Sequence, residues 1–160
     1  MNPTGTVVVG VDGSPESRAA TEFAMREALQ RQAWLRVVAA AQLPEYWTIA
    51  YGTSELPSPG DVIADTKRVA RQTLDDVVTA HPELAAVEFN VEAIAGPPGQ
   101  VLVDASKGAD LLVLGHRGRG AVRSALLGSV GLHCILHATC PVTIVPPAVV
   151  AEATPVAAQA

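Results

Sequence analysis

The sequence predicts a single-domain α/β fold: an open parallel sheet of five strands with helices on both faces. Three observations carry that prediction. Short β-branched runs alternate with helix-period segments in the order βαβ-loop-αβαβαβ, the pattern of strands linked by helical crossovers. Two of the strands, "TVVVGVD" and "ADLLVLG", are apolar almost throughout, as strands covered on both faces must be. The chain has 160 residues, 49% of them hydrophobic and 17% charged, which is enough for one real core and too apolar for a disordered protein.

The elements follow in order. Thr6 to Asp12 reads as a buried strand. Ser14 is placed to cap the next helix, with Pro15 at its first position and Glu16 in its first turn. Ala20, Phe23, Ala24 and Ala28 recur at helical spacing and mark its inner face. Trp34 to Gln42 is the second strand. A polar, proline-rich connection from Leu43 to Gly60 carries Tyr46, Trp47 and Tyr51; it reads first as a partly ordered surface loop whose aromatics cover the sheet edge, and otherwise as a lid or partner surface, as connections this long often are. Asp61 to Ala80 is a helix facing inward through Ala70, Thr73, Leu74 and Val77, and Pro82 stops it. Ala86 to Ile94 alternates Val87, Phe89 and Val91 with Glu88, Asn90 and Glu92, the pattern of a half-exposed edge strand. "PGQVLVDASKG" is a short helix ending at Gly108, Leu111 to Gly115 a buried strand, "LLGSVGLHCILHAT" a mostly apolar helix and "PVTIV" a last strand. The domain is expected to span residues 1–147, with 148–160 a frayed tail.

Composition excludes several classes. A net charge of −5 argues against broad nucleic-acid binding. No apolar run reaches the ~18–20 residues a membrane span needs. "MNPTGTVVVG" lacks the basic and apolar regions of a secretory signal, so the expected location is cytoplasmic, with no membrane partner. Cys134 and Cys140 form no CxxC pair and read as reduced, buried thiols.

The informative stretch is "LLVLGHRGRGAVRSALLGS", Leu111 to Ser129. If the two apolar strands are central neighbours, the winding direction reverses between them and opens a crevice at their carboxyl ends, where ligands bind. Asp12 and Gly115 would meet there. The loop fits no Walker spelling, because Ala121 stands where the lysine belongs. It fits no dinucleotide fingerprint, because Arg123 replaces the third glycine. Yet Gly115 and Gly118 permit close backbone approach, and Arg117, Arg119 and Arg123 make the loop basic. Gly128-Ser129 falls where a helix begins, whose free N–H groups attract anions. Asp12 suits ribose hydroxyls or Mg²⁺, and Ala39 to Ala41 offer a small-residue slot for a base.

The segment Gly115-x-x-Gly118-x₉-Gly128-Ser129 is similar to the ATP-binding motif of the universal stress protein family. "GSVGLHCILHATCPVTIV" resembles that family's closing helix and strand, and "VVVGVDGSPESRAA" its opening strand and helix. The resemblance implies a Rossmann-like sheet of order 3-2-1-4-5, akin to the adenine nucleotide α-hydrolase-like folds. It implies a site in which Gly10, Val11 and Asp12 meet ribose and adenine and Ala40 lines the base slot. Leu114 and Gly115 would contact base and ribose, and Arg117, Gly118, Gly128, Ser129 and Val130 would hold phosphates. It further implies a homodimer through the last strand, Val142 to Val145, whose open edge needs covering in any case. His116 and Gly131 depart from the family's pattern. Gly131 forgoes a hydroxyl that often reaches the phosphates.

The function expected is a nucleotide-responsive stress regulator. It would bind ATP, with Mg²⁺ as a companion ion and AMP or cyclic AMP as other candidate ligands. Hydrolysis would be slow, since no general base stands beside the loop in sequence. A dimeric interaction module with weak nucleotide binding is the alternative, and an ATP pyrophosphatase-type enzyme a remote one. His133, Cys134 and His137 have helical spacing that can bind a metal, but no acid accompanies them, and packing is the simpler role.

Overall fold

Two apolar runs, one rich in valine and one in leucine, lie side by side at the centre of the sheet. In the computed structural model, which describes residues 3–43, 57–118 and 127–146, strand β1 (Thr6–Gly10) pairs in parallel with β4 (Leu111–Gly115). The other flank of β1 pairs with β2 (Trp34–Ala41), and β3 (Phe89–Ala95) and β5 (Val142–Val145) form the edges. The order is β3-β2-β1-β4-β5, all parallel, as the resemblance implied. Four α-helices are seen among the described residues: α1 (Pro15–Arg31), α2 (Pro59–Ala80), α3 (Pro98–Ala105) and α4 (Ser129–His137). The sequence-based expectations for Tyr46, Trp47, Tyr51, Arg119, Arg123 and the 148–160 tail lie outside the described residues.

The period-two alternation of the central strands divides the core. Val7 and Val9 point to the face covered by α1 and α2, where Ala20, Ala24, Ala28, Leu74 and Val77 meet them. Val8 points to the other face, with Leu112, Leu114, Val101, Leu102 and Cys134. Both faces of β1 are therefore dry, which explains its unbroken apolar spelling. Met25 and Leu84 are also fully buried, and the sequence pattern picked out neither.

Several boundaries move for identifiable reasons. β1 ends at Gly10 rather than Asp12. The Val11 amide still donates to Val38 O at 2.9 Å, but Gly13 then turns at φ +81°. Helix α2 begins at Pro59, two residues before the expected Asp61. Ser58 Oγ accepts from Asp61 N (3.1 Å) and the Asp61 carboxylate accepts from Ser58 N (3.2 Å), a reciprocal cap. Beyond α2, Pro82–Ala86 form a 3₁₀ turn that drives Leu84 into the core, so β3 starts at Phe89 instead of Ala86. Helix α4 is less enclosed than its apolar spelling suggests. Only Gly131 and Cys134 are buried, while Leu132, Ile135 and Leu136 are exposed.

On the α3 side of the sheet, a polar row joins β2 and β3. Trp34 Nε1 donates to Asn90 Oδ1, Asn90 Nδ2 to Glu92 Oε1, and Arg36 forks onto both Glu92 oxygens at 2.9 and 2.7 Å. Arg36 Nη1 also donates to Ala105 O at the end of α3. The bonds from Arg36 are the main reason the Glu92 carboxyl is held below the usual carboxylate range, against a smaller opposing effect of burial. Among the described residues no helix is long and apolar enough to cross a membrane.

Candidate functional site

The topological reversal between β1 and β4 opens a cavity of about 810 Å³ at the carboxyl ends of the strands. That lies within the range of small-molecule sites, roughly 300–1,000 Å³. All eleven residues singled out from the sequence line it: Gly10, Val11, Asp12, Ala40, Leu114, Gly115, Arg117, Gly118, Gly128, Ser129 and Val130.

One end of the cavity is a glycine cradle. A Cβ on Gly115 would stand 2.8 Å from the backbone carbonyl of Glu16, so the end of β4 lies flush against the first turn of α1. A Cβ on Gly118 would stand 2.6 Å from Asp12 Oδ2. Gly128 N donates to His116 O at 3.2 Å, and His116 N to Val145 O at 2.9 Å. The two arms of the glycine motif thus begin and end at one place. Helix α4 starts there with Gly128 as N-cap, and no side chain caps it. Its first intrahelical bond runs from Leu132 N to Gly128 O, so the N–H groups of Ser129, Val130 and Gly131 have no acceptor within the helix. All three residues line the cavity. Such a helix start binds anions. A side chain at 131 would press on Leu127 Cδ1 at 3.0 Å, so the absent hydroxyl goes with the packing of Leu127.

Asp12 sits in the turn leading to α1. Its Oδ1 accepts from Ser14 N (2.9 Å) and Ser14 Oγ (2.5 Å), while Ser14 Oγ accepts from Ser17 N. The aspartate is both a turn residue and a cavity wall, its second oxygen lying beside Gly118. A carboxylate therefore does stand next to the loop, where the sequence order suggested no base. Although 106 positions separate Asp12 from Gly118, the carboxyl ends of β1 and β4 meet in one crevice, as the strand pattern predicted.

The other end of the cavity is formed by the end of β2. Even-numbered residues of this strand turn their amides and carbonyls toward β1, as Trp34 N bonding to Gly5 O and Val38 O accepting from Val11 N establish. Pairing stops at Gly10–Val38. The Ala40 amide and carbonyl therefore face the cavity with no strand beside them among the described residues, and Ala39 and Ala40 leave room in front. Asp65, Thr66 and Val69 of α2, with Gln42, complete the wall; sequence reasoning missed all four, along with Ser17. Helical spacing placed Ala70 and Leu74 inward. It could not say that the turn before them overhangs a ligand cavity, since that depends on how the crossover lies on the sheet.

The sequence profile described as the Universal stress protein family matches residues 3–146. A universal stress protein of Mycobacterium bovis is 34% identical over 150 residues, covering 88% of this sequence and 47% of that protein. The chain belongs to the universal stress protein family. It spans about half the length of the curated relatives it matches. Among solved structures, a universal stress protein in complex with cAMP superposes with a TM-score of 0.67 at 28% identity, covering 89% of this protein and 97% of that one. The universal stress protein from Archaeoglobus fulgidus in complex with dAMP gives a TM-score of 0.56 at 23% identity, covering 90% and 98%, and agrees in fold.

The remaining polar cluster of the sequence lies on α4, with His133 half-buried, Cys134 buried and His137 exposed. The His133 and His137 rings stack at 4.3 Å, and His133 lies against Gly99 of α3. No group of three or more histidine, cysteine or acidic residues close enough to hold a metal occurs among the described residues. Cys134 is buried and its thiol is pushed up to about 11, chiefly by that burial; Cys140 is half-buried rather than enclosed.

Proposed function

We propose that this universal stress protein binds an adenine nucleotide in the β1–β4 crevice, with ATP as the working ligand and AMP or cyclic AMP as alternatives. The observation that carries this reading is that one cavity joins two complementary devices. At one end Ala40 offers an open backbone donor and acceptor to a base edge. At the other, the α4 N-terminus and the Gly115–Gly118 backbone offer donors to phosphate, with Arg117 alongside. A relative 28% identical, solved with cAMP, supports an adenine nucleotide. Val11 and Asp12 line the same cavity as the two devices and suit the ribose. If Mg²⁺ accompanies a triphosphate, Asp12 is the carboxylate beside Gly118.

The reading is of a holder rather than a catalyst. Backbone N–H groups and hydroxyls that grip phosphates equally in ground and transition states give affinity without rate. Hydrolysis is then slow, and the nucleotide acts as a signal that a stress-response partner reads, in the cytoplasm.

Gly128→Glu tests the site. Its Cβ has room, 3.7 Å from Arg117 Cα, so the fold should survive. The carboxylate would place bulk and negative charge at the anion end. Calorimetry with ATP should show binding lost in a variant that melts like the wild type; unchanged affinity would remove the site assignment.

A second reading, a dimeric interaction module, is favoured by a separate observation. Among the described residues no strand pairs with the outer edge of β5, which is half-exposed, and Leu132, Ile135 and Leu136 of the preceding helix α4 are exposed. The two readings are compatible, and dimerisation through Val142 to Val145 belongs to both.

A further inference from the structure

Helix α2 is absent from the glycine motif, yet it supplies one wall of the cavity through Asp65, Thr66 and Val69. The hydrogen-bonding state of its two polar residues is specific. Thr66 Oγ1 donates its proton to Val62 O at 2.7 Å, so only lone pairs remain to face the cavity. Asp65 is a carboxylate whose Oδ1 receives Nε and Nη2 of Arg68 at 3.0 and 2.7 Å. Both residues can accept from a ligand and neither can donate.

The open pair at Ala40 does not by itself choose between purines. Adenine presents a donor at its 6-amino group and an acceptor at N1. Hypoxanthine presents an acceptor at its 6-oxo group and a donor at N1. A backbone N–H beside a backbone carbonyl can satisfy either after a small in-plane slide. Gln42, at the same end of the cavity, can turn its amide to donate or accept and discriminates no better. An acceptor-only wall is different. It takes the second proton of a 6-amino group and opposes a 6-oxo oxygen, which would meet lone pairs on that side.

We propose that α2 is the base-reading wall of the site: Thr66, with Asp65 beside it, selects 6-amino over 6-oxo purine nucleotides. This rests on the nucleotide reading above and extends it to a residue outside the glycine motif.

The test is calorimetric titration of AMP and IMP into the wild type, Thr66→Val and Thr66→Ser. The wild type should prefer AMP by about tenfold or more, the scale set by one hydrogen bond lost and one acceptor left facing another. Thr66→Val keeps the branched shape and removes the acceptor. It should cut the AMP-to-IMP preference by about fivefold, mainly through weaker AMP binding, as expected for one lost hydrogen bond. Thr66→Ser should keep the preference. Equal binding of AMP and IMP by the wild type, an unchanged ratio in Thr66→Val, or an equal fall in Thr66→Ser would overturn this inference and leave the nucleotide reading standing. Binding of neither nucleotide by the wild type would remove both.

Discussion

Gly115 and Gly118 stand three residues apart in one loop, and they are glycine for different reasons. At Gly115 an added Cβ meets backbone atoms of Glu16 at 2.8 Å, and backbone cannot step aside. Gly115→Ala should therefore push α1 off β4 and lower stability by about 1–3 kcal/mol, measured by chemical denaturation. At Gly118 the added Cβ meets a carboxylate oxygen of Asp12 at 2.6 Å, and a side chain can turn away. Gly118→Ala should melt nearly as the wild type does while weakening nucleotide binding, because Asp12 would be displaced from its bonds with Ser14. If the two alanine variants prove equally stable, the distinction fails. His116 shows the same economy. Its backbone joins the β5 end to Gly128, so its presence in the motif does not disturb the cradle's closure.

At the scale of elements, the β2–β3 pair shows how a sheet face manages a polar row. Glu92 and Arg36 lie on adjacent parallel strands, and the fork between them is only partly screened from solvent. Because the folded-state pKa of Glu92 lies below its unfolded value, the pair stabilises the fold fully above the ordinary carboxylate range. That contribution is lost as pH falls from about 4.5 through the lower folded value. The stability gap between wild type and Glu92→Gln should therefore be widest near neutral pH and close on acidification. Urea titrations at several pH values would show it, and a gap that persists at the acid end would mean Arg36 does not depend on the charge of Glu92. Helix α2 carries a related lesson about ends. Its Ser58–Asp61 cap, which the sequence reading passed over by starting the helix at Asp61, sets where the helix starts and hence which turn reaches Thr66.

For the whole molecule, the open edges matter most. β5 shows half-exposed residues along its whole length, and its even-numbered amides and carbonyls face away from β4, since Pro141 O and Val145 O are the ones bonded to it. Unpaired edges invite a second strand. A dimer through Val142 to Val145 is expected, and sedimentation equilibrium checks it: a monomer at all accessible concentrations would leave the edge without its proposed cover. The polar row and the 3₁₀ turn sit by the opposite edge, at β3. The two edges are thus unlike, which disfavours open-ended stacking of the sheet.

The alternation of strand and helix spellings determined the fold class, because burying a strand on both faces or a helix on one face constrains residue type at every position. The spacing Gly115-x-x-Gly118-x₉-Gly128-Ser129 likewise marked the glycine cradle, since close backbone approach and an uncapped helix start are local demands that local sequence must meet. What the sequence left open was set by contacts between segments far apart along it. Within the crevice that the strand pattern predicted, the Asp12 carboxylate touches Gly118; the end of β1 at Gly10 exposes the Ala40 backbone, and α2 crosses so that Thr66 overhangs the cavity. None of these has a periodic or spaced signature, because each arises from where one element stops or lies on another. Only the tertiary structure could decide them.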